Sequence, residues 1–386
     1  MPMTALALDL TRAPILLPDG AGMAPGTLSI ADGLIVDAPV GRAVDLSGFW
    51  VLPGMVDMHG DAFERHVAPR RGANTNVDDG IVAAEAELAA AGVTTAVLAQ
   101  FYSWEGGLRG PEFAGTVFEA IKRVKRAVPS DLIPQLRFEF NMLDDYPGLP
   151  EKIAGWEVPY VVFNDHLQHD RLAEGRRPKQ LTGQALKAGR NPEDHWALLQ
   201  KLHGYGLQIP EAVEALMATL AAAGVRLGSH DEHTAADRAL WASRGAQISE
   251  FPETMEAAQA AMDSGGTVVG GSPNVVRGGS HKGNVGVDDL VAAGIVNALA
   301  SDYHYPSMRR AAFMLADRGV CSFEHAWGLL SSGPAKALGL DDRGSLRAGL
   351  RADITIVDPK TRRVCGTIAG GQVSYLSGEL ATRFLA

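Results

Sequence analysis

Eight short apolar runs alternate with helical stretches through the middle of this chain, and that alternation restricts its fold more than any other feature. The runs occupy residues 51–58, 95–101, 133–140, 158–163, 225–228, 246–251, 267–271 and 295–300. They read as strands of a parallel sheet, whose neighbours must be joined by crossovers long enough to hold a helix. Residues 79–91 and 210–223 are two such crossovers, both Ala-rich and both followed by a Gly and then a β-branched strand. Eight strand–helix repeats predict an α/β chain with a TIM-like (β/α)8 barrel over residues 51–343.

The flanks read differently. Residues 1–50 hold short β-like segments between Pro-Asp-Gly, Ala-Pro-Gly and Ala-Asp-Gly turns, and residues 344–386 return to that style. One small β-domain assembled from both termini is expected. A (β/α)8 domain needs roughly 250 residues, so a chain of 386 has room for it. The polar stretch 169–194, with Arg176, Arg177 and Lys187, shows little hydrophobic periodicity and reads as a lid or an inserted excursion.

The balance of charge narrows the partners. With 45 acidic against 35 basic side chains the formal net charge is -10, a field that repels nucleic acid and anionic membrane. A small anionic substrate would need a local basic pocket. The two cysteines, Cys321 and Cys365, are far apart and lack CxxC spacing, which argues against a disulfide framework or a thiolate zinc site and for two buried thiols. The early apolar patch is broken by Asp9 and Arg12, and no later run reaches transmembrane length, so a cytoplasmic protein is expected. A homodimer is compatible with such a barrel, although no residue specifies one.

The His, Asp and Glu residues gather at the C-terminal ends of the predicted strands. The first ends in His59-Gly60-Asp61, where alternation sends His59 and Asp61 to the same side. The third ends in Arg137-Phe138-Glu139-Phe140, a carboxylate between aromatics that calls for a positive partner. The fourth, fifth and eighth are followed by His166, His230 and Asp302. A single His or Asp past a strand end is more often a cap or a loop residue. Coincidence over five strands is harder to explain that way. His59, Asp61, Glu139, His166, His230 and Asp302 therefore form the candidate ligand set for one or two divalent ions, zinc first, with manganese or iron as alternatives. His169, His233 and His304 lie close enough to support that set. His66, His195, His203 and His325 read as surface or core histidines.

Several motifs resemble a known family. Pro53-Gly54-Met55-Val56-Asp57-Met58-His59 and the segment from Gly344 to Ile354 resemble the amidohydrolase superfamily, which pairs a metallo-barrel with a β-domain built from both termini. His59-Gly60-Asp61 in place of His-x-His, Glu250-Phe251-Pro252-Glu253-Thr254, the segment from Ser272 to Asn284, and Ser301-Asp302-Tyr303 are similar to its subgroup from bacterial phosphonate degradation. After Asp165-His166 the chain reads Leu167-Gln168-His169-Asp170, where that subgroup carries a Ser-Pro-Gly-like turn. The resemblance implies release of pyrophosphate from a ribosyl triphosphate. It also implies that Glu139 takes the metal-bridging place of a carboxylated lysine and that Asp302 accepts a proton from the attacking water.

The segment Arg277, Gly278, Gly279, Ser280, His281, Lys282 and Asn284 reads as an anion cradle, with glycines exposing N–H groups and basic side chains supplying charge. Its bland reading is a turn with solvated basic residues, and Arg65, Arg70 and Arg71 carry less weight still. Two other functions remain open at this point: hydrolysis of a C–N bond in a phosphorylated sugar or related metabolite, as by a deacetylase or deaminase, and a non-catalytic metal-binding partner in a phosphonate-processing complex.

Overall fold

The computed structural model describes residues 5–69, 76–280 and 283–386. In chain order its strands are β1 (Leu8–Leu16), β2 (Met23–Ala31), β3 (Leu34–Val36), β4 (Ala43–Asp45), β5 (Trp50–Pro53), β6 (Met55–Gly60), β7 (Val93–Tyr102), β8 (Asp131–Glu139), β9 (Tyr160–Asn164), β10 (Arg226–His230), β11 (Ile248–Glu250), β12 (Thr267–Gly271), β13 (Ala298–Ala300), β14 (Ile354–Asp358), β15 (Arg363–Ala369) and β16 (Gln372–Leu376). A mixed sheet runs in the order β16-β15-β14-β5-β1-β2-β3, with β4 alongside β1. A second, parallel sheet takes β6 to β13 in chain order, the strand arrangement of a (β/α)8 barrel.

Each predicted run thus contains a strand of the parallel sheet, with one correction. Residues 51–58 are not one strand: β5 pairs antiparallel with β14 in the mixed sheet, and β6 pairs with β7 in the parallel one. The chain changes sheets at Gly54. A Cβ there would stand 2.4 Å from Thr94 Oγ1 and 3.0 Å from the Asp353 carbonyl carbon, so only glycine fits the crossing.

By their contacts the residues fall into two compact units, one of residues up to 98 with 123–133 and 267–386, the other of 99–122 and 134–266. In the first, the mixed sheet buries Leu8, Leu10, Ile30, Val51, Ile354, Ile356 and Ile368 completely. Burying an aliphatic side chain of this size is worth roughly 1.5–3 kcal/mol, so this face holds the two ends of the chain together. The helix Val77–Ala91 starts where the Asn76 side chain accepts from the Asp78 amide at 3.0 Å, and it stops at Gly92 in the left-handed region, φ 94°. Residue 302 closes onto the first parallel strand within this unit, where Asp302 N donates to His59 O at 2.8 Å and Asp61 N to Asp302 O at 3.0 Å.

The second unit holds β8 to β11 and packs more rings than the composition suggests. Phe138 lies against Tyr102, Tyr146 and Phe163, and Trp241 stacks on Phe163. Residues 169–194 form two short helices, His169–Ala173 and Leu181–Lys187, and lead into a third, Pro192–Gly204. The stretch has apolar anchors: Leu172 and Leu181 join Trp104, Leu167, Leu199 and Leu202 in a core of their own. Two further expectations change in detail. Cys321 and Cys365 are half-buried rather than buried, and His203 meets His169, with 2.8 Å between their Nδ1 atoms. No helix among the described residues is long and apolar enough to cross a membrane.

Candidate metal centre

In the first unit, one ring nitrogen of His59 and one carboxylate oxygen each of Asp61 and Asp302 lie within 4.8 Å of one another. His59 is fully buried and the two carboxylates are half-buried. The backbone sets this convergence. Asp302 sits in the left-handed region at φ 54°, a conformation tolerated by Asp, and the two hydrogen bonds to 59 and 61 hold it there. Beneath them Asp57, alternating with His59 on β6, accepts from Ser301 N at 2.9 Å, Ser301 Oγ at 2.5 Å and His59 N at 3.3 Å. Burial pushes the Asp57 carboxyl above its usual range, against the pull of those bonds. Gly60 leaves room for this clamp, since a Cβ there would stand 2.8 Å from Asp57 Oδ2 and 3.0 Å from Ser301 Oγ. An imidazole with two carboxylates suits a borderline divalent ion, so these residues fit the metal that the sequence implies.

The second unit presents its donors along one face of β8. Gln135, Arg137 and Glu139 alternate with Leu136 and Phe138 and point to the polar side. Glu139, fully buried, accepts from His166 N at 3.1 Å and meets His166 Nδ1 with its other oxygen. Burial lowers the His166 pKa, but the Glu139 hydrogen bond and charge outweigh it and leave the imidazole raised. Arg137 Nη2 donates to His230 Nε2 at 3.1 Å, while His230 Nδ1 lies 3.0 Å from Asp231 Oδ2. Gln135 donates to Glu250 Oε1 at 2.8 Å, and the Tyr160 hydroxyl donates to the same oxygen at 2.7 Å. Glu250 is the register partner of His230, and one atom of each lies within 4.8 Å of the other.

Glu250, Asp57 and Arg137 were absent from the ligand and cradle lists drawn from sequence. Their signal was available: each is a charge inside an apolar run, two residues from a candidate ligand or at a strand's last residue. Asp165 gathers the segment after β9, accepting from Asn141 Nδ2 at 2.8 Å and Leu167 N at 3.0 Å, with His169 Nε2 at 3.0 Å. His169 thus supports the stretch that carries His166.

The anion cradle takes a different form from the one expected. His281 and Lys282 lie outside the described residues, as do Arg70 and Arg71. Gly278 N and Gly279 N donate to Asn274 O at 3.0 and 3.1 Å, so these two amides cap the helix Ser272–Arg277 instead of exposing N–H groups to a ligand. Arg277 donates to the Tyr303 hydroxyl, and Ser280 and Asn284 are half-buried. Arg65 pairs with Glu87.

This fold and donor set define a class, (β/α)8 barrels with a candidate metal site at the C-terminal ends of their strands. Among solved structures, the putative prolidase from Bifidobacterium longum superposes with a TM-score of 0.67 at 13% identity, covering 99% of both chains. A triazine hydrolase variant gives 0.66 at 13% identity, covering 98% of both. At that identity they establish the eight-stranded barrel with its terminal β-sheet. The model described as amidohydrolase family matches residues 279–375. The alpha-D-ribose 1-methylphosphonate 5-triphosphate diphosphatase of Escherichia coli (strain K12) is 30% identical over 328 residues, 84% of this chain and 87% of that protein. The chain belongs to the amidohydrolase superfamily and is a hydrolase of that kind.

Proposed function

We propose that the protein is a metal-dependent diphosphatase of phosphonate degradation. It would hydrolyse a ribosyl 5-triphosphate, of the ribose 1-methylphosphonate 5-triphosphate kind, to the 5-phosphate and pyrophosphate. The observation that carries this reading is the converging set His59, Asp61 and Asp302 in a chain 30% identical to the Escherichia coli diphosphatase over 84% of its length. These three residues would hold a divalent ion, zinc first, and Glu139, His166, His230 and Glu250 are the proposed ligands of the second unit.

When bound, the ion supplies Lewis acidity and a water of lowered pKa. Asp302 accepts the proton of the attacking water, its carboxylate preset by the backbone bonds to residues 59 and 61. Asp57 keeps the His59 and Ser301 backbones in register while this happens. Arg277, Ser280, His281, Lys282 and Asn284 are proposed to accompany the phosphates, with Gly278 and Gly279 shaping the turn. The partner is then a small phosphorylated sugar, in a cytoplasmic setting.

The test combines metal analysis with pyrophosphate release from a panel of ribosyl and nucleoside triphosphates. For Asp302→Asn, release should fall about 10²–10⁴-fold while metal remains measurable. Metal-loaded wild type that frees no phosphorus from any triphosphate refutes the proposal and moves the search to acylated and aminated sugar phosphates.

A further inference from the structure

His230 and Glu250 are the last residues of β10 and β11 and stand opposite one another in register. Asp231 and Phe251, the residues that follow them, lie in the left-handed region at φ 59° and 57°. Asp tolerates that conformation, whereas a bulky residue such as Phe adopts it only where its surroundings impose it. Two strained turns directly after two proposed metal donors need an anchor that holds both strand ends in place.

That anchor lies one residue back. Ser229 and Ser249 are also register partners, both fully buried, and alternation sends their side chains to the face of the sheet opposite His230 and Glu250. The Glu232 carboxylate bridges them. Its Oε1 accepts from Ser229 Oγ, and its Oε2 accepts from Ser249 Oγ at 2.9 Å. Arg238 Nη1 balances the charge at 3.1 Å and donates to Ser229 Oγ at 2.7 Å, while Nη2 donates to Ala246 O ahead of β11. Arg238 belongs to the helix Ala235–Ser243, whose start is locked by a capping box between Thr234 and Asp237. The backbone adds a further tie, since Glu253 N donates to Glu232 O at 2.9 Å and so joins the segments that follow the two strands.

A buried ion pair adds little net stability over apolar residues of similar volume, so stability alone does not account for Glu232 and Arg238. What the pair supplies is direction. Each carboxylate oxygen is committed to a different strand, and a shift of either strand breaks a bond. We infer that Glu232 is a positioning residue, whose carboxylate bridges Ser229 and Ser249 and thereby sets the spacing of His230 and Glu250 as donors to a divalent ion. The inference rests on the metal-binding part of the diphosphatase reading and adds to it a residue that acts through its neighbours.

Cobalt(II) titration of the metal-free full chain, followed by visible absorption, tests this, because the band reports the geometry of the donors. His230→Ala identifies the part of the spectrum that belongs to the second unit. Glu232→Leu with Arg238→Met removes the bridge and both charges together. It should fold with a Tm near that of wild type yet bind cobalt at that site about 10–100-fold more weakly, with a changed band. Glu232→Gln with Arg238→Met keeps a bridge, since an amide can accept from one serine and donate to the other, and should restore the wild-type band and most of the affinity. If the apolar double variant does not fold, Ser249→Ala, which cuts the tie to β11 alone and leaves the ion pair in place, decides on the same criterion. Wild-type affinity and band in the apolar variant, equal losses in both double variants, no cobalt binding by the wild type, or a cobalt spectrum that His230→Ala leaves unchanged each overturn the inference. The two readings separate cleanly. Wild type that binds cobalt through His230 yet frees no pyrophosphate from any triphosphate removes only the activity, whereas pyrophosphate release by a protein whose apolar variant keeps the wild-type cobalt affinity removes only the positioning role.

Discussion

Arg238→Met tests the energetics of the segment that carries His230 and Asp231. Arg238 is 1% exposed, and its Nη1 donates to Ser229 Oγ at 2.7 Å and to Glu232 Oε1 at 3.1 Å, while Nη2 donates to Ala246 O. Glu232, 3% exposed, also accepts from Ser249 Oγ at 2.9 Å. Methionine fills much of the volume but leaves Glu232 as a buried carboxylate without its cation, a change that costs about 3–5 kcal/mol. For a chain of 386 residues that corresponds to about 5 °C in Tm. Urea unfolding followed by tryptophan fluorescence suits the question, because Trp241 packs on Phe163 in the same unit. The double variant Glu232→Gln with Arg238→Met should recover at least half of the loss, since no charge then stays buried. A loss below about 1 kcal/mol in the single variant, or a double variant as unstable as the single, refutes the reasoning.

Two further outcomes follow from the first unit. Gly54→Ala forces a Cβ to 2.4 Å from Thr94 Oγ1 and should destabilise by about 1–3 kcal/mol in chemical denaturation, with an effect under 0.5 kcal/mol refuting the crossing argument. Asp353, desolvated by burial beside Arg351 and the Gly370 amide, has its pKa pushed up to about 6. A carboxyl raised in the folded state favours folding below its unfolded value near 3.8 and loses that contribution as pH rises through about 6. Relative to Asp353→Asn, the wild type should therefore gain up to about 3 kcal/mol between pH 7 and pH 4, and a flat difference across that window excludes it.

The strand positions were legible because a parallel strand covered on both faces must be apolar along its length, and all eight runs mark one. Residues 51–58 misled for the same reason: β5 and β6 are both apolar, so only Pro53-Gly54 betrayed the change of sheet. Residues 169–194 show a different limit. Their apolar side chains, such as Leu172, Leu181 and Ala185, are shared among short helices, and no single stretch is long enough to show a period. His59, Asp61 and Asp302 could be picked out because strand ends are where barrels place chemistry. Glu250 stood out in the sequence as a charge at the end of an apolar run, but its partners Gln135 and Tyr160 are brought near only by the fold. The block after Ser272 looked like an anion cradle by composition, whereas the Gly278 and Gly279 amides are used in ending a helix.

The bond between Asp302 N and His59 O has a meaning for the growing chain. Asp61 and Asp302 are separated by about 240 residues of synthesis, and the whole of the second unit, 99–122 and 134–266, emerges between them. His59 and Asp61 thus leave the ribosome long before the residue that completes their set, and the segment holding Arg137, His230 and Glu250 can fold in the interval. On the proposed metal reading, loading of the first unit would be a late event in biogenesis, and a nascent chain ending before residue 302 would offer the ion two of these three donors.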